Sequence, residues 1–216
     1  MKSFAYDFIL PFFINKDKFR PHFEKIHCSD EGFCYATNSH VLIKVPADSC
    51  MFKYDAVPNY PAVESVFKQY EQPNSAVIKL DELVKVTSLF KWVRPLDSDI
   101  CQKCEGSGVV SCECCGQDTD CKDCNGDGKH EKGTVELSLL VCEDYNSLIK
   151  IHNKYFKPDY AHIVAVCAMA LGVNEVTLLY NDNKFDPHIF IVGDAQILVM
   201  PKQHNSESQV LTLKIS

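Results

Sequence analysis

The chain has 216 residues, 46% of them apolar and 24% charged, and a net charge of −7, enough to bury a core in one large domain or two small ones. This composition excludes a disordered, collagen-like or coiled-coil protein, and no apolar run approaches the ~20 residues of a bilayer-spanning helix. The charge argues against attraction of nucleic acid to the whole surface but leaves room for a local basic face.

The N-terminal run has no small-residue cleavage site, and Asp7 and Pro11 interrupt its apolar stretch, so an unprocessed cytoplasmic protein is expected. Ala5 to Ile14, rich in aromatic and branched residues, reads as a strand. A helix follows, with Phe19, Phe23 and Ile26 at helical spacing and Pro21 near its start. Two short strands flank the turn signal Thr37-Asn38-Ser39, and the linker Val57 to Pro61 closes this first unit. Ala76 to Leu80 reads as a strand and Asp81 as the cap of a helix bearing Leu83, Val84, Val86, Leu89, Phe90 and Val93. Thr134 to Val141 alternates like a half-buried strand, and another begins at Ser147. After Pro158 comes an apolar helix that closes at Gly172. Glu175 to Tyr180, His188 to Val192 and Gln196 to Met200 complete the strands. The order recurs as strand, helix and further strands, which implies an α+β fold with antiparallel sheets and helices on one face.

Seven of the twelve cysteines lie between Cys101 and Cys124. Clustering in a chain without a secretory signal points to metal rather than to a disulfide scaffold. Cys101-Gln-Lys-Cys104 and Cys121-Lys-Asp-Cys124 are separated by sixteen residues, and each continues into a Gly-x-Gly. A CxxC knuckle must turn sharply to aim two sulfurs at one ion, and glycine reaches positive φ without strain. Four thiolates in two facing knuckles suit one tetrahedral Zn²⁺ in a closed, structural site. A redox or disulfide module and an iron–sulfur site are the competing readings. Cys112, Cys114 and Cys115 could supply a second or alternative ligand set, together with His130, or remain free thiols. Cys28, Cys34, Cys142 and Cys167 read as small buried hydrophobes.

The two CxxCxGxG copies resemble the cysteine-rich region of DnaJ-type co-chaperones, in which four such repeats bind two zinc ions. The resemblance implies that Cys101, Cys104, Cys121 and Cys124 form the outer site and that Cys112 and Cys115 belong to a degenerate inner repeat. It covers about thirty residues, and the chain has no His-Pro-Asp tripeptide of a J domain.

The remainder resembles the bacterial DNA polymerase III beta sliding clamp. YATNSHVLIKVPA (Tyr35 to Ala47) is similar to the clamp's ATDGHRLA turn, and NYPAVESVF (Asn59 to Phe67) to its interdomain linker. VIKLDELVKVTSLF is similar to the start of its last domain. KYFKPDYAHIVAVCAMALGVNEVTLLYND and ILVMPKQ are similar to its closing helix, strand and terminal Met-Pro segment. The resemblance implies a shortened clamp-like fold, with residues 1–60 as a half unit, 61–98 with 134–216 as a second part, and 99–133 as an inserted zinc segment.

No glycine-rich phosphate loop follows a strand, and no GxSxG or HExxH motif occurs, so a non-enzyme is expected. The first functional reading is a clamp-like protein of DNA metabolism that meets duplex DNA or a polymerase partner, possible homo-oligomers included. Its basic candidates are Lys16, Lys18, Arg20 and Lys25, then Lys79, Lys85, Lys91 and Arg94, on two helices that would face a phosphate backbone; solvated helix faces are the plain alternative. The second reading is a protein-interaction or chaperone-like adaptor that presents the zinc hairpin. Neither involves a membrane.

Overall fold

The computed structural model describes residues 4–14, 20–70, 72–93, 98–111, 117–131, 140–204 and 208–215. They divide into two compact units, Met1–Trp92 with Cys142–Ser216, and Val93–Val141.

The first unit opens with a helix, not a strand. Helix α1 (Phe4–Ile9) runs into a 3-10 turn, Leu10–Phe13. Tyr6, Ile9, Leu10 and Phe13 are buried, and their i, i+3, i+4, i+7 spacing outweighs the strand propensity of the individual residues. Buried Asp7 pins this helix, because its carboxylate accepts the N–H groups of Met51 at 2.8 Å and Phe52 at 3.1 Å and the Tyr54 hydroxyl at 2.9 Å. The helix expected next shrinks to a 3-10 turn, Pro21–Glu24, that buries Phe23; Phe19 lies outside the described residues.

Strands β1 (His27–Cys28), β2 (Phe33–Thr37) and β3 (Val41–Pro46) form an antiparallel meander. Cys28 and Cys34, read from sequence as small buried hydrophobes, are directly opposed across β1 and β2 and are joined in a disulfide. In the β2–β3 turn, Ser39 takes a φ of 77°. The Asn38 side chain accepts the N–H groups of His40 at 3.0 Å and Val41 at 2.9 Å, an Asx turn of the kind its residues favour.

Helix α2 (Val63–Gln69) precedes β4 (Asn74–Lys79) and α3 (Leu80–Thr87). Lys79 is the N-cap of α3 and makes no side-chain cap. Asp81 sits inside the first turn and accepts the N–H of Glu82 at 2.9 Å, where a carboxylate favours the helix dipole. Leu89, Phe90 and Val93 fall beyond this helix. After β5 (Trp92–Val93), the second unit contains β6 (Ser98–Ile100), β7 (Val109–Ser111), β8 (Asp118–Asp120) and β9 (Lys129–Glu131). Most of the expected strand Thr134 to Val141 lies outside the described residues. The chain continues with β10 (Val141–Cys142), β11 (Leu148–Ile151), β12 (Lys154–Phe156), α4 (Pro158–Leu171), β13 (Glu175–Tyr180), β14 (His188–Val192), β15 (Ala195–Val199) and β16 (Val210–Leu213).

A seven-stranded antiparallel sheet in the order β1-β2-β3-β15-β14-β13-β4 organises the first unit. Its central joint is the β3–β15 pair, Val41 opposite Val199 and Leu42 opposite Leu198. A three-stranded sheet, β12-β11-β16, lies beside it in sequence, with β16 parallel to β11. Helix α4 is apolar nearly all round because it packs against α1, α3 and β14, burying Ile163, Val164, Cys167 and Ala168. Gly172 ends it with a φ of 67°, its N–H bonded to Met169 O and that of Val173 to Ala168 O, a Schellman-type stop. Among the described residues, no helix is long and apolar enough to cross a membrane.

Candidate functional site

The second unit is built from one pattern used twice. Cys101, Cys104, Gly106 and Gly108 recur twenty residues later as Cys121, Cys124, Gly126 and Gly128. In each copy the residue after the second cysteine takes a left-handed φ, 51° at Glu105 and 53° at Asn125, followed by positive-φ glycines. The copies embrace reciprocally: Cys101 N–H bonds Gly128 O at 2.9 Å, and Cys121 N–H bonds Gly108 O at 2.8 Å. The flanking strands pair accordingly, β6 with β9 and β7 with β8. Glycine is required at the crossing points. A Cβ on Gly108 would lie 2.1 Å from Gly126 O, and one on Gly128 would lie 2.4 Å from Gly106 O.

This reciprocal frame brings four buried sulfurs together, all ligand atoms of Cys101, Cys104, Cys121 and Cys124 lying within 4.8 Å of one another. Cys101 Sγ stands 3.7 Å from Cys121 Sγ, and Cys104 Sγ is 3.7 Å from Cys124 Sγ. A tetrahedron of thiolates around zinc, with bonds near 2.3 Å, has edges of about 3.8 Å, so the four fit such an ion. Burial works against ionisation of Cys104, yet the N–H groups of Gly108 and Gly106 and the adjoining sulfurs bring its thiol down to about 7. Cys124 is pushed up to about 12 by burial, opposed by the Gly128 N–H, and by the neighbouring sulfurs. Several adjacent thiolates repel one another unless a cation lies among them. Val110 is the partly buried apolar side chain packed against this cluster, so metal binding would supply free energy that a hydrophobic core supplies elsewhere. Cys112, Cys114 and Cys115 lie outside the described residues. His130 is in β9, opposite Asp99.

The described basic candidates lie on several elements. Lys16, Lys18 and Arg94 lie outside the described residues. Arg20 and Lys25 flank the Pro21–Glu24 turn, and Arg20 Nη1 donates to Ser39 Oγ at 2.6 Å. Lys79 is exposed at the end of β4 and Lys85 in the last turn of α3. Lys91 follows α3 and pairs with Glu143 at 2.8 Å.

A second site emerges in the first unit that the sequence reading did not single out. An apolar cavity of about 230 Å³ takes Thr37, His40 and Val41 from the β2–β3 turn, Pro61 and Val66 from the linker and α2, and Leu198 and Met200 from the end of β15. The Met200 N–H bonds His40 O at 2.9 Å, which fixes the end of β15 against the turn. Beneath it lies a core of Tyr35, Leu42, Val63, Ile189 and Leu198. Glu64 fastens α2 to the sheet by accepting from the Tyr35 hydroxyl and from Lys44 Nζ at 2.9 Å. Burial opposes its charge, but these two donors hold its carboxyl below the usual glutamate range. Three of the segments that resemble the sliding clamp thus meet at one cavity. Their convergence was the available signal, hidden because they are far apart in sequence.

No family model matches the sequence, and no curated protein matches it. Solved structures do match in fold. The DNA polymerase III beta subunit of Borrelia burgdorferi, in complex with a natural product, aligns with a TM-score of 0.50 at 11% identity, covering 94% of this chain and 62% of that one. The Helicobacter pylori beta clamp bound to a DNA ligase peptide aligns with a TM-score of 0.50 at 9% identity, covering 92% of this chain and 62% of that one. This chain therefore has a clamp-like fold, with an additional cysteine unit, and spans less than two thirds of the length of these clamps.

Proposed function

We propose that this protein is a non-enzymatic, clamp-like component of DNA metabolism that receives a peptide segment of a partner protein in the apolar cavity beside Met200. The observation that carries the reading is the meeting of the β2–β3 turn, the Pro61 linker and the end of β15 around that cavity. A neighbour of the same fold, the Helicobacter pylori clamp, was solved with a DNA ligase peptide bound. The cavity here suits such a segment, since Val41, Val66, Leu198 and Met200 offer apolar walls and Thr37 and His40 offer a polar rim. Duplex DNA would be a second, salt-sensitive partner through exposed lysines such as Lys85.

Zinc is the proposed ion of the four-cysteine site, with Cys101, Cys104, Cys121 and Cys124 as ligands. When bound, it would act as a structural cross-link, because four protein ligands leave no position open for a reacting water.

The test is fluorescence anisotropy with a labelled DNA ligase peptide. Binding that weakens at least about ten-fold in Val66→Glu, with the circular dichroism of the chain unchanged, supports the reading; a tenfold change corresponds to about 1.4 kcal/mol. Deleting residues 101–128 separates this from an adaptor that works through its cysteine unit, because peptide binding should survive the deletion. Absence of peptide binding, or binding indifferent to Val66→Glu, rejects it.

A further inference from the structure

A second cavity in the first unit, about 460 Å³ in volume, opens between β12, the loop after β13 and the segment following β15. Its walls carry Lys154, Lys184, Lys202 and His204, together with Tyr155 and Phe185, and none of the described lining residues is acidic. In a chain of net charge −7, a cavity whose described lining holds three lysines and no carboxylate favours an anionic ligand.

Lys154 is the buried basic residue of the wall. The residue is 1% exposed, and its ammonium donates to Asn181 Oδ1 at 3.2 Å and to the Asp186 main-chain oxygen at 3.0 Å. Both acceptors are neutral. The Asp186 carboxylate is engaged elsewhere, by Asn181 Nδ2 at 2.8 Å and Asn183 Nδ2 at 3.0 Å. Among the described residues Lys154 forms no ion pair, although a buried ammonium is costly without a compensating anion. Burial accordingly pulls it down to about 8, partly offset by Asp186 and Asp182.

The aromatic walls narrow the ligand class. The ring of His204 stacks on Tyr155 at 4.7 Å and 20°. Lys202 ties its N–H to Tyr155 O at 2.7 Å and its ammonium to Tyr145 O at 3.1 Å. Phe185 is 60% exposed, with Lys184 Nζ 5.1 Å from its ring centre. Ammonium groups beside an exposed ring offer phosphate contacts and a stacking face together, and the volume is that of a small-molecule site rather than a long groove.

We infer that this cavity binds a nucleoside phosphate, its phosphate at Lys184 and Lys202, with the buried Lys154 adding positive charge to the wall, and its base against Phe185. The source is either a free nucleotide or the phosphorylated end of a single strand. The inference does not rest on the peptide-binding reading, and the variants that test it leave the Met200 cavity intact.

Isothermal titration of the full chain with AMP, adenosine, inorganic phosphate and a 5′-phosphorylated dT tetranucleotide tests it. AMP should bind, with adenosine and phosphate each at least about ten-fold weaker. Phe185→Ala should weaken AMP by about ten-fold while leaving phosphate unchanged. The double variant Lys184→Glu with Lys202→Glu, at two residues outside the core, should abolish AMP binding in a folded chain. Tighter binding of AMP than of the tetranucleotide identifies a free nucleotide as the source, and the reverse order identifies a strand end. No AMP binding at millimolar concentration, equal binding of AMP and phosphate with Phe185→Ala silent, or AMP binding unchanged by the double variant overturns the inference.

Discussion

Lys103 and Asp123 occupy the same position in the two cysteine knuckles, and their side chains meet in an ion pair of 2.8 Å. The pattern is used twice, but where its copies touch, the two residues carry opposite signs. Both side chains are about half exposed, at 53% and 50%, so the pair contributes little to stability and decides mainly which charge arrangement is tolerated. Lys103→Asp should lower the melting temperature of the unit in low salt, and adding Asp123→Lys should restore it. The difference should shrink in 1 M salt, where the screening length is about 3 Å. A double exchange that behaves like the sum of its parts would show that the pair does not interact.

Metal content is checked most directly by elemental analysis of the purified chain. One zinc ion per chain is expected, and Cys104→Ser should release it. A strong chelator should unfold the second unit while leaving the amide signals of the seven-stranded sheet in place, since a metal held by these four cysteines would stand in for a core. Iron in place of zinc would contradict the assignment.

Two left-handed glycines should respond very differently to alanine. Gly172→Ala meets no atom within 4 Å and should cost about 1–2 kcal/mol, the strain of an L residue at positive φ. Gly108→Ala combines the same strain with a Cβ placed 2.1 Å from Gly126 O. It should cost more than Gly172→Ala and weaken metal retention as well. Competition with a colorimetric zinc chelator measures the second effect and thermal unfolding the first.

His188 makes stability fall on acidification. It is fully buried, its Nδ1 has no hydrogen-bond partner among the described residues, and Nε2 faces Ile151 O at 3.3 Å. Burial and then the nearby Lys154 push it down to about 3. The folded chain thus keeps His188 neutral, while the unfolded chain takes up a proton below about pH 6.5. Stability should decline from that pH down to about 3, and His188→Leu should flatten the slope in urea unfolding curves measured between pH 7.5 and 5. An unchanged slope would assign the acid sensitivity to other groups. Lys154 titrates in an alkaline window and does not disturb the comparison.

Much of the first unit was legible because its patterns are local. Glu175–Tyr180 and His188–Val192 are the strands read from the sequence, and α4 ends at the expected glycine. The N-terminal segment misled because Phe, Tyr and Ile favour strands as residue types, while the spacing of Tyr6, Ile9, Leu10 and Phe13 is helical and decides which side is buried. The four-cysteine cluster was readable from ligand spacing alone. The cavity beside Met200 was not, because it depends on β15 lying next to β3, a pairing between distant parts of the chain that no local pattern encodes. The Cys28–Cys34 bond was missed for the same reason on a shorter scale, since it follows from the β1–β2 register.

The β3–β15 joint also sets an order of assembly. Val41 meets its cross-strand partner in β15 at Val199, so closing the middle of the large sheet means ordering a loop that contains most of the chain, and such distant pairings form slowly. The cysteine unit closes its ladders between neighbours such as Val109 and Asp120 and can form as soon as it is synthesised and metal is present. During synthesis, β3 should therefore keep an unpaired edge while the knuckles fold, until β15 emerges.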